Sequence, residues 1–553
     1  MATLTSEPRP VGCGTTGRRG RGVDYAAVAL AVVLVGLVGV HLPAFLCMPL
    51  DADVSLWDQF ARMVSSGSVA YRDVLENNFP GMLWAHLVIR TLFGWRSEVL
   101  RAVDITVVAT IVTLLVKWLP TGASLAWRIF TVLVLASFYL TTSEWCHCQR
   151  DTWMLLPALL ALVVRRAQIA AILGEHAPVG AVAGRGLLEG ILWAAAFWIK
   201  PFVAVPCVVC WISGVSFISR SGTGRVRRIL LDGVSVLAGG AVAGVAGCAW
   251  LIVTGAWTDF LDVMMVWNRE YVRFNMGRDI GWLYQIGPLV RLAPWPLVHL
   301  VAVPVALAAI WRGESIYRVL LGALYIGWFG QAVLLQHIYD YIHVPPLLLG
   351  FAVLCQRVAI AAPGLARTCL IALLLLGVGT RLPALTEQRF TGWSACIQEG
   401  STPELRDRFS ILSRMSWSDL EGVRAFLQSR EVGDGELTCL SMRTVPLYQE
   451  LGVRPSTRYL FLENVLIVFA GKRAQVTADL ATSQQRFVVC DILTTRWRLP
   501  DELRSSGDSY RVQTDLETAW FPKNALAARC GRYVVYDVRA SDMPAWIRDN
   551  LDP

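Results

Sequence analysis

The chain has 553 residues, 55% of them hydrophobic and 17% charged, with a mean hydropathy of +0.49. Soluble domains carry about 25% charged residues, so a wholly soluble protein is excluded, and the repeated long apolar runs fit a bilayer. The net charge of +8 does not point to nucleic acid, because the arginines gather between apolar runs, as at Arg18, Arg19 and Arg21 or Arg220, Arg225, Arg227 and Arg228. That is the positive-inside bias of a polytopic membrane protein.

Residues 1–23 read as a cytoplasmic N-terminal tail. The first apolar run, about 24–46, is too long for a cleavable signal and reads as a signal anchor. A polar outer loop, 47–79, follows. Further runs near 80–95, 99–118, 123–142, 151–168, 187–218, 229–255, 287–311, 315–335, 341–357 and 367–384 give about eleven spans in a membrane domain over 24–385. The run 187–218 is too long for one straight span and is interrupted at Lys200–Pro201. The run 80–95 is short enough to be partly interfacial. With 80–95 counted as a crossing, Arg165 and Arg166 fall on the outer side, against the charge bias.

After residue 385 charged residues become frequent and spans end. Residues 386–553 read as an extracytoplasmic small α/β domain. Ser416-Trp417-Ser418-Asp419 reads as a capping box opening a helix. Gly435–Met442, Phe487–Leu493 and Tyr533–Val538 read as strands. Cys396, Cys439, Cys490 and Cys530 lie here and can pair in three ways in an oxidising compartment. Cys207 and Cys210, inside an apolar run, read as packing residues. Cys146-His147-Cys148 has no distant partner of the kind a metal site needs.

The informative stretch is Pro49–Gly81. Asp51 and Asp53 sit where the first span ends. Apolar residues then recur at Leu56, Trp57, Phe60, Met63 and Val64, the spacing of a helix lying along the membrane surface. Gly67 ends it, and Tyr71-Arg72-Asp73 and Asn77-Asn78-Phe79-Pro80-Gly81 lead to the next apolar run. A carboxylate at headgroup level can take a proton from an acceptor hydroxyl as that hydroxyl attacks a lipid-borne sugar. The departing lipid phosphate needs cations, for which Arg72, Lys200, Arg269 and Arg273 are candidates. Taken alone, an acid pair at a helix start reads as a cap, with Asp53 as the N-cap.

The combination of acid pair, surface helix, Tyr-Arg-Asp and Asn-x-Pro-Gly resembles the first outer loop of the GT-C glycosyltransferases, in the bacterial branch similar to protein O-mannosyltransferases and lipid A sugar transferases. Asp51 and Asp53 match the acidic motif, and Tyr71, Arg72, Asp73, Asn78, Pro80 and Gly81 match the rest. Phe79 stands where the family often has a first proline, and Ala52 separates acids that are often adjacent, so either aspartate remains open as the base. Gln149-Arg150-Asp151, Ile199-Lys200-Pro201-Phe202 and the segment from Gln336 to Pro345, with His337, Tyr339, Tyr341 and His343, are similar to later segments of that branch.

The resemblance implies a polytopic GT-C-like fold, a polyprenyl-phosphate-linked sugar donor, and an envelope glycan, lipid or protein as acceptor. Asp51 or Asp53 is then catalytic, and Tyr71, Arg72, Asp73, Asn78, Lys200, Arg269, Arg273, His337, Tyr339 and Tyr341 bind substrate. No metal ligand is assigned, and a requirement for a divalent metal stays open. A transporter or flippase of envelope precursors, or an O-antigen ligase or polymerase, is the alternative. Transporters often carry paired, similar halves, and no repeat is visible here.

Overall fold

The computed structural model describes residues 24–174, 178–222, 225–277, 286–336, 339–359, 365–381, 387–410, 415–491 and 526–538. Among these, nine helices are long and apolar enough to cross a membrane. Helix α1 (Tyr25–Cys47) opens at Asp24, whose carboxylate accepts from Ala27 N at 3.1 Å. The amphipathic α2 (Ala52–Ser65) and the short apolar α3 (Gly81–Phe93) follow. Then come α4 (Ser97–Lys117), α5 (Leu125–Leu140), α6 (Arg150–Trp153) running into α7 (Leu155–Leu173), α8 (Val179–Ile199), α9 (Ala204–Arg220) and α10 (Val226–Val253). Later spanning helices are Trp295–Arg312, Ile316–Gln336 and Asp340–Val358. The chain is a polytopic helical membrane protein with a small mixed-sheet region at its C-terminal end.

Burial sorts the spans radially. Nearly all of Asp340–Val358 is enclosed. By contrast α10 presents Leu230, Val234, Leu237, Val242 and Val245 outward, an aliphatic surface suited to lipid tails. Helices α8 and α10 touch closely because both carry glycine on the shared face. A Cβ at Gly190 would meet the Val236 backbone, and one at Gly239 the Leu187 backbone. Small residues of this kind let helices approach when no water drives them together.

The run 187–218 is two helices. Lys200 is extended (φ −159°, ψ 117°) between α8 and the turn Pro201–Val203 that opens α9. Helix α3, conversely, does not cross. Its first residue packs on the backbone of Trp198 and Ile199, and Arg90, one turn from its end, returns to Asp58 of α2. These two changes cancel beyond residue 218 but exchange the sides of the connections between 94 and 199. Arg165 and Arg166 therefore fall on the same side as Arg220 and Arg312. Arg166 lies over the rings of Trp118 and Tyr317 at 5.5 and 4.8 Å. Arg165 is fully buried, held by Glu189 of α8 at 2.8 Å and Asp232 of α10 at 2.7 Å.

The C-terminal region holds a four-stranded sheet, β1 (Leu437–Cys439), β2 (Phe487–Asp491), β3 (Leu526–Cys530) and β4 (Tyr533–Asp537), in the order β1-β2-β4-β3. Only the β1–β2 pair is parallel. The three predicted strands are present, those at Gly435–Met442 and Tyr533–Val538 shorter than expected, with β3 beside them; Ile492 and Leu493 lie outside the described residues. The predicted helix runs Trp417–Ser429, but Ser416 does not cap it. The Asp407 carboxylate does, accepting from Trp417 N at 2.5 Å and Ser418 N at 2.9 Å. The thiols of Cys439, Cys490 and Cys530 are free, and Cys47 Sγ donates to Cys396 O at 3.6 Å. Cys439, buried on β1, donates to Thr444 O at 3.1 Å.

Alternate side chains of β2 enter two different cores. Phe487 and Val489 face the domain's own interior, whereas Val488 and Cys490 join a cluster shared with Trp57, Phe60, Tyr71, Phe260 and Trp267. The C-terminal region and the outer loop are thus one hydrophobic unit. Helix α2, expected to rest on the membrane with one apolar face, is covered on both sides. Its Arg62 donates to Gln449 O at 2.9 Å, and Gln449 donates to Asp58 at 3.0 Å.

Candidate active site

Helix α2 begins where α1 ends, so its first turn sits at the rim of the bundle. Asp51 is its N-cap: the carboxylate accepts from Asp53 N at 3.0 Å. Burial, and then the neighbouring Asp53 charge, push the Asp51 carboxyl up to about 8. Asp53, one residue into the helix, is half-buried and faces other groups. Burial raises its pKa, while the Arg150 guanidinium, the Trp145 side chain as hydrogen-bond partner and the Lys200 ammonium pull the other way.

Four further segments converge on Asp53. The 3-10 turn Glu144–Cys146 and α6 bring Trp145, Arg150 and Asp151. They are anchored by His147, whose Nδ1 lies 3.0 Å from Arg101 Nη1, while Arg101 also donates to Pro49 O at the start of the loop. The break after α8 brings Lys200, whose Nζ donates to both Asp151 oxygens at 2.8 and 2.9 Å. Lys200 also lies over the rings of Tyr341 and Phe202 at 5.8 and 5.9 Å. The lead-in to Asp340–Val358 brings Tyr339 and Tyr341, stacked at 5.4 Å and 4°. Trp145 stands edge-on to both at 6.0 Å. Asp340 between them is fixed by Arg291 at 2.6 Å. The outer loop brings Glu76, whose carboxylate accepts from Asn78 N at 3.0 Å and Asn78 Nδ2 at 2.5 Å.

The result is a compact group of three carboxylates (Asp53, Glu76, Asp151), two cations (Arg150, Lys200) and an aromatic wall. Arg150 Nη1 is buried and has no hydrogen-bond partner among the described residues. A buried donor left open costs free energy unless something fills it. Burial also raises the Glu76 carboxyl, against Asn78 and Arg150. Among the described residues no cluster of three or more His, Cys, Asp or Glu side chains could hold a metal.

Of the residues named from sequence, Asp51, Asp53, Asn78, Lys200, Tyr339 and Tyr341 lie in or beside this group. Tyr71 is fully buried in the loop core (φ 66°), with its hydroxyl donating to Asn78 O at 2.8 Å. Arg72 and Asp73 pair with each other at 3.0 Å on the exposed face of the loop, and Asp73 also accepts from Val69 N. Arg269 and Arg273 are exposed on the helix Asn268–Gly277. His337 lies outside the described residues. Glu76 and Trp145 were not singled out from sequence. Arg150 and Asp151 were noticed only within a resembling segment. An acid in the same loop as Asp53, and an Arg-Asp pair opening an apolar run, were the available signals.

No protein-family model matches the chain, and no curated protein matches it. Among solved structures it is similar to ArnT from Cupriavidus metallidurans bound to undecaprenyl phosphate, at 14% identity over 93% of this chain and 98% of that one, with a TM-score of 0.49. It is similar to the same protein in the apo state at 16% identity, over 93% and 99%, with a TM-score of 0.48. It is also similar to the Archaeoglobus fulgidus oligosaccharyltransferase in the apo form, at 8% identity over 89% of this chain and 71% of that one, with a TM-score of 0.45.

Proposed function

We propose that the chain transfers a sugar from a polyprenyl-phosphate-linked donor to an extracytoplasmic acceptor, a glycan, lipid or protein of the envelope, with Asp53 as general base. One observation carries this reading: a half-buried carboxylate at the rim of a membrane bundle faces an arginine with an unfilled donor and a lysine, beside a wall of aromatic rings. The lipid-phosphate donor is what the loop motifs imply.

Each group then has a chemical task. The acceptor hydroxyl gives its proton to Asp53 while its oxygen attacks the anomeric carbon. The bond from that carbon to the phosphate oxygen breaks in the same displacement, which inverts the centre, and the lipid phosphate leaves. Arg150 takes the growing negative charge through Nη1, and Lys200, held by Asp151, adds a second positive charge. Tyr339, Tyr341 and Trp145 offer ring faces to the sugar, and Glu76 with Asn78 offers acceptors and donors for its hydroxyls. Asp51 is less suited to be the base, because its carboxylate caps α2 and its nearest charge is another carboxylate.

The test is reconstitution of the purified chain in liposomes with a panel of polyprenyl-phosphate sugars and acceptor extracts, measuring free polyprenyl phosphate. Release from one donor, dependent on acceptor, is expected. Movement of lipid-linked sugar between leaflets with no release from any donor would replace this reading with a transporter.

A further inference from the structure

A second site lies at the end of the bundle opposite Asp53. There the helices Trp295–Arg312, Ile316–Gln336 and Asp340–Val358 frame a half-open cavity of about 220 Å³. Arg312, Glu314, Arg318 and Arg357 stand in its lining, with Ala309 and Val353 on its apolar wall. Arg318 pairs with Glu314, and Arg357 reaches the same carboxylate at 3.5 Å. Arg312 has no carboxylate partner among the described residues. Three guanidiniums against one carboxylate leave two positive charges uncompensated around a cavity.

The surroundings specify what kind of anion fits. On the helix that carries Arg312, Leu300, Leu307 and Trp311 are strongly exposed. They are spaced seven and four residues apart, so they form one ridge along the helix. The ridge gives acyl chains a track that ends at the arginines, with an indole at the height where indoles meet lipid headgroups. A soluble anion would need only the charges. A ligand with a phosphate and long apolar tails uses both.

We propose that this cavity binds an anionic phospholipid, its phosphate among Arg312, Arg318 and Arg357 and its chains along the Leu300–Leu307 ridge. The site is separate from the Asp53 group and does not depend on the glycosyltransferase reading.

The test uses the full chain in detergent, titrated with phosphatidylglycerol or with phosphatidylcholine of the same acyl chains, with bound lipid counted by native mass spectrometry. Phosphatidylglycerol is expected to bind at least about fivefold more tightly. Arg312→Gln and Arg357→Gln are each expected to weaken it by about fivefold, the value of one arginine near an anionic lipid. Arg430→Gln, exposed on the C-terminal region and outside both sites, should bind like the wild type. Equal binding of the two lipids, or unchanged binding in both arginine variants, overturns the proposal. Displacement of the lipid by millimolar inorganic phosphate would make this a soluble-anion site and overturns it as well. If Arg357→Gln fails to fold, the lipid comparison on wild type and the exposed Arg312→Gln variant still decide.

Discussion

Replacing Asp58 by alanine should loosen the outer loop from the bundle more than any other single change in α2. Its fully buried carboxylate accepts from Arg90 Nε and Nη2, both at 2.6 Å, and from Gln449 Nε2 at 3.0 Å, with His86 Nδ1 at 3.2 Å. One side chain thus joins α2, α3 and the C-terminal region. Burial alone would raise the Asp58 carboxyl, but His86 and Arg90 more than offset it and hold it below the usual carboxylate range. Removing one partner of such a pair strands the other, at a cost of about 3–5 kcal/mol. Arg90 keeps its bonds to Gly94 O and Arg96 O, at 3.0 and 2.7 Å, so the lower end of that range is expected. Asp58→Ala with Arg90→Leu should recover much of the loss, because the stranded charge is gone. Unfolding can be followed in detergent with a thiol-reactive dye, since Cys148 and Cys146 are buried. A depressed carboxyl gives stability that is present above the unfolded pKa and lost as pH falls through the folded value, so the wild-type advantage over the double variant should vanish in acid. Additive losses in the two single variants, or an advantage that does not change with pH, would refute the pin.

Other changes probe other parts of the molecule. Arg150→Gln removes the charge that most favours ionised Asp53, so the acidic limb of kcat/KM should move to higher pH. The rate should also fall by roughly 10²–10³, the cost of one lost transition-state donor; an unmoved limb in the pH profile would separate Arg150 from Asp53. Gly81→Ala places a Cβ against the Trp198–Ile199 backbone, which cannot swing aside, and should cost about 1–3 kcal/mol, read as a lowered melting temperature. Arg165→Leu leaves Glu189 and Asp232 buried without their cation and should cost about 3–5 kcal/mol. Restoration of the monodisperse peak on size exclusion by adding Asp232→Asn would tie that loss to charge and not to packing.

The membrane class was legible because apolar runs of spanning length leave few other solutions. The span boundaries were less so, because hydropathy reports transfer to lipid and not direction. Gly81–Phe93 is apolar enough to suggest a crossing, yet Arg90 and His86 are spent on Asp58 and turn α3 back toward α2. Lys200–Pro201 was visible as an interruption, since a lysine and a helix-breaking proline cannot both sit in an unbroken span. Asp53, Lys200 and Tyr341 could be picked out because charge and aromatic density at span ends are uncommon. Glu76 could not, since a glutamate in a polar loop carries no mark until Asn78 and Arg150 surround it. Ser416 carries the spacing of a cap on Trp417–Ser429, but Asp407, ten residues upstream, supplies it, a contact that sequence spacing does not reveal. Tyr71, Arg72 and Asp73 match a motif, but here their contacts order the loop: Tyr71 through its hydroxyl, and Asp73 through Val69 N.

The most direct measurement is the rate of polyprenyl-phosphate release by Asp53→Asn and Asp51→Asn, each against wild type at pH 7. Asp51 accepts from Asp53 N as the cap of α2, and the side-chain oxygen of asparagine can accept the same bond. Asp51→Asn should therefore stay within about tenfold of wild type, while Asp53→Asn should lose roughly 10²–10⁴ in rate, the contribution of a general base. Full activity in Asp53→Asn, or a dead Asp51→Asn beside an active Asp53→Asn, would contradict the account.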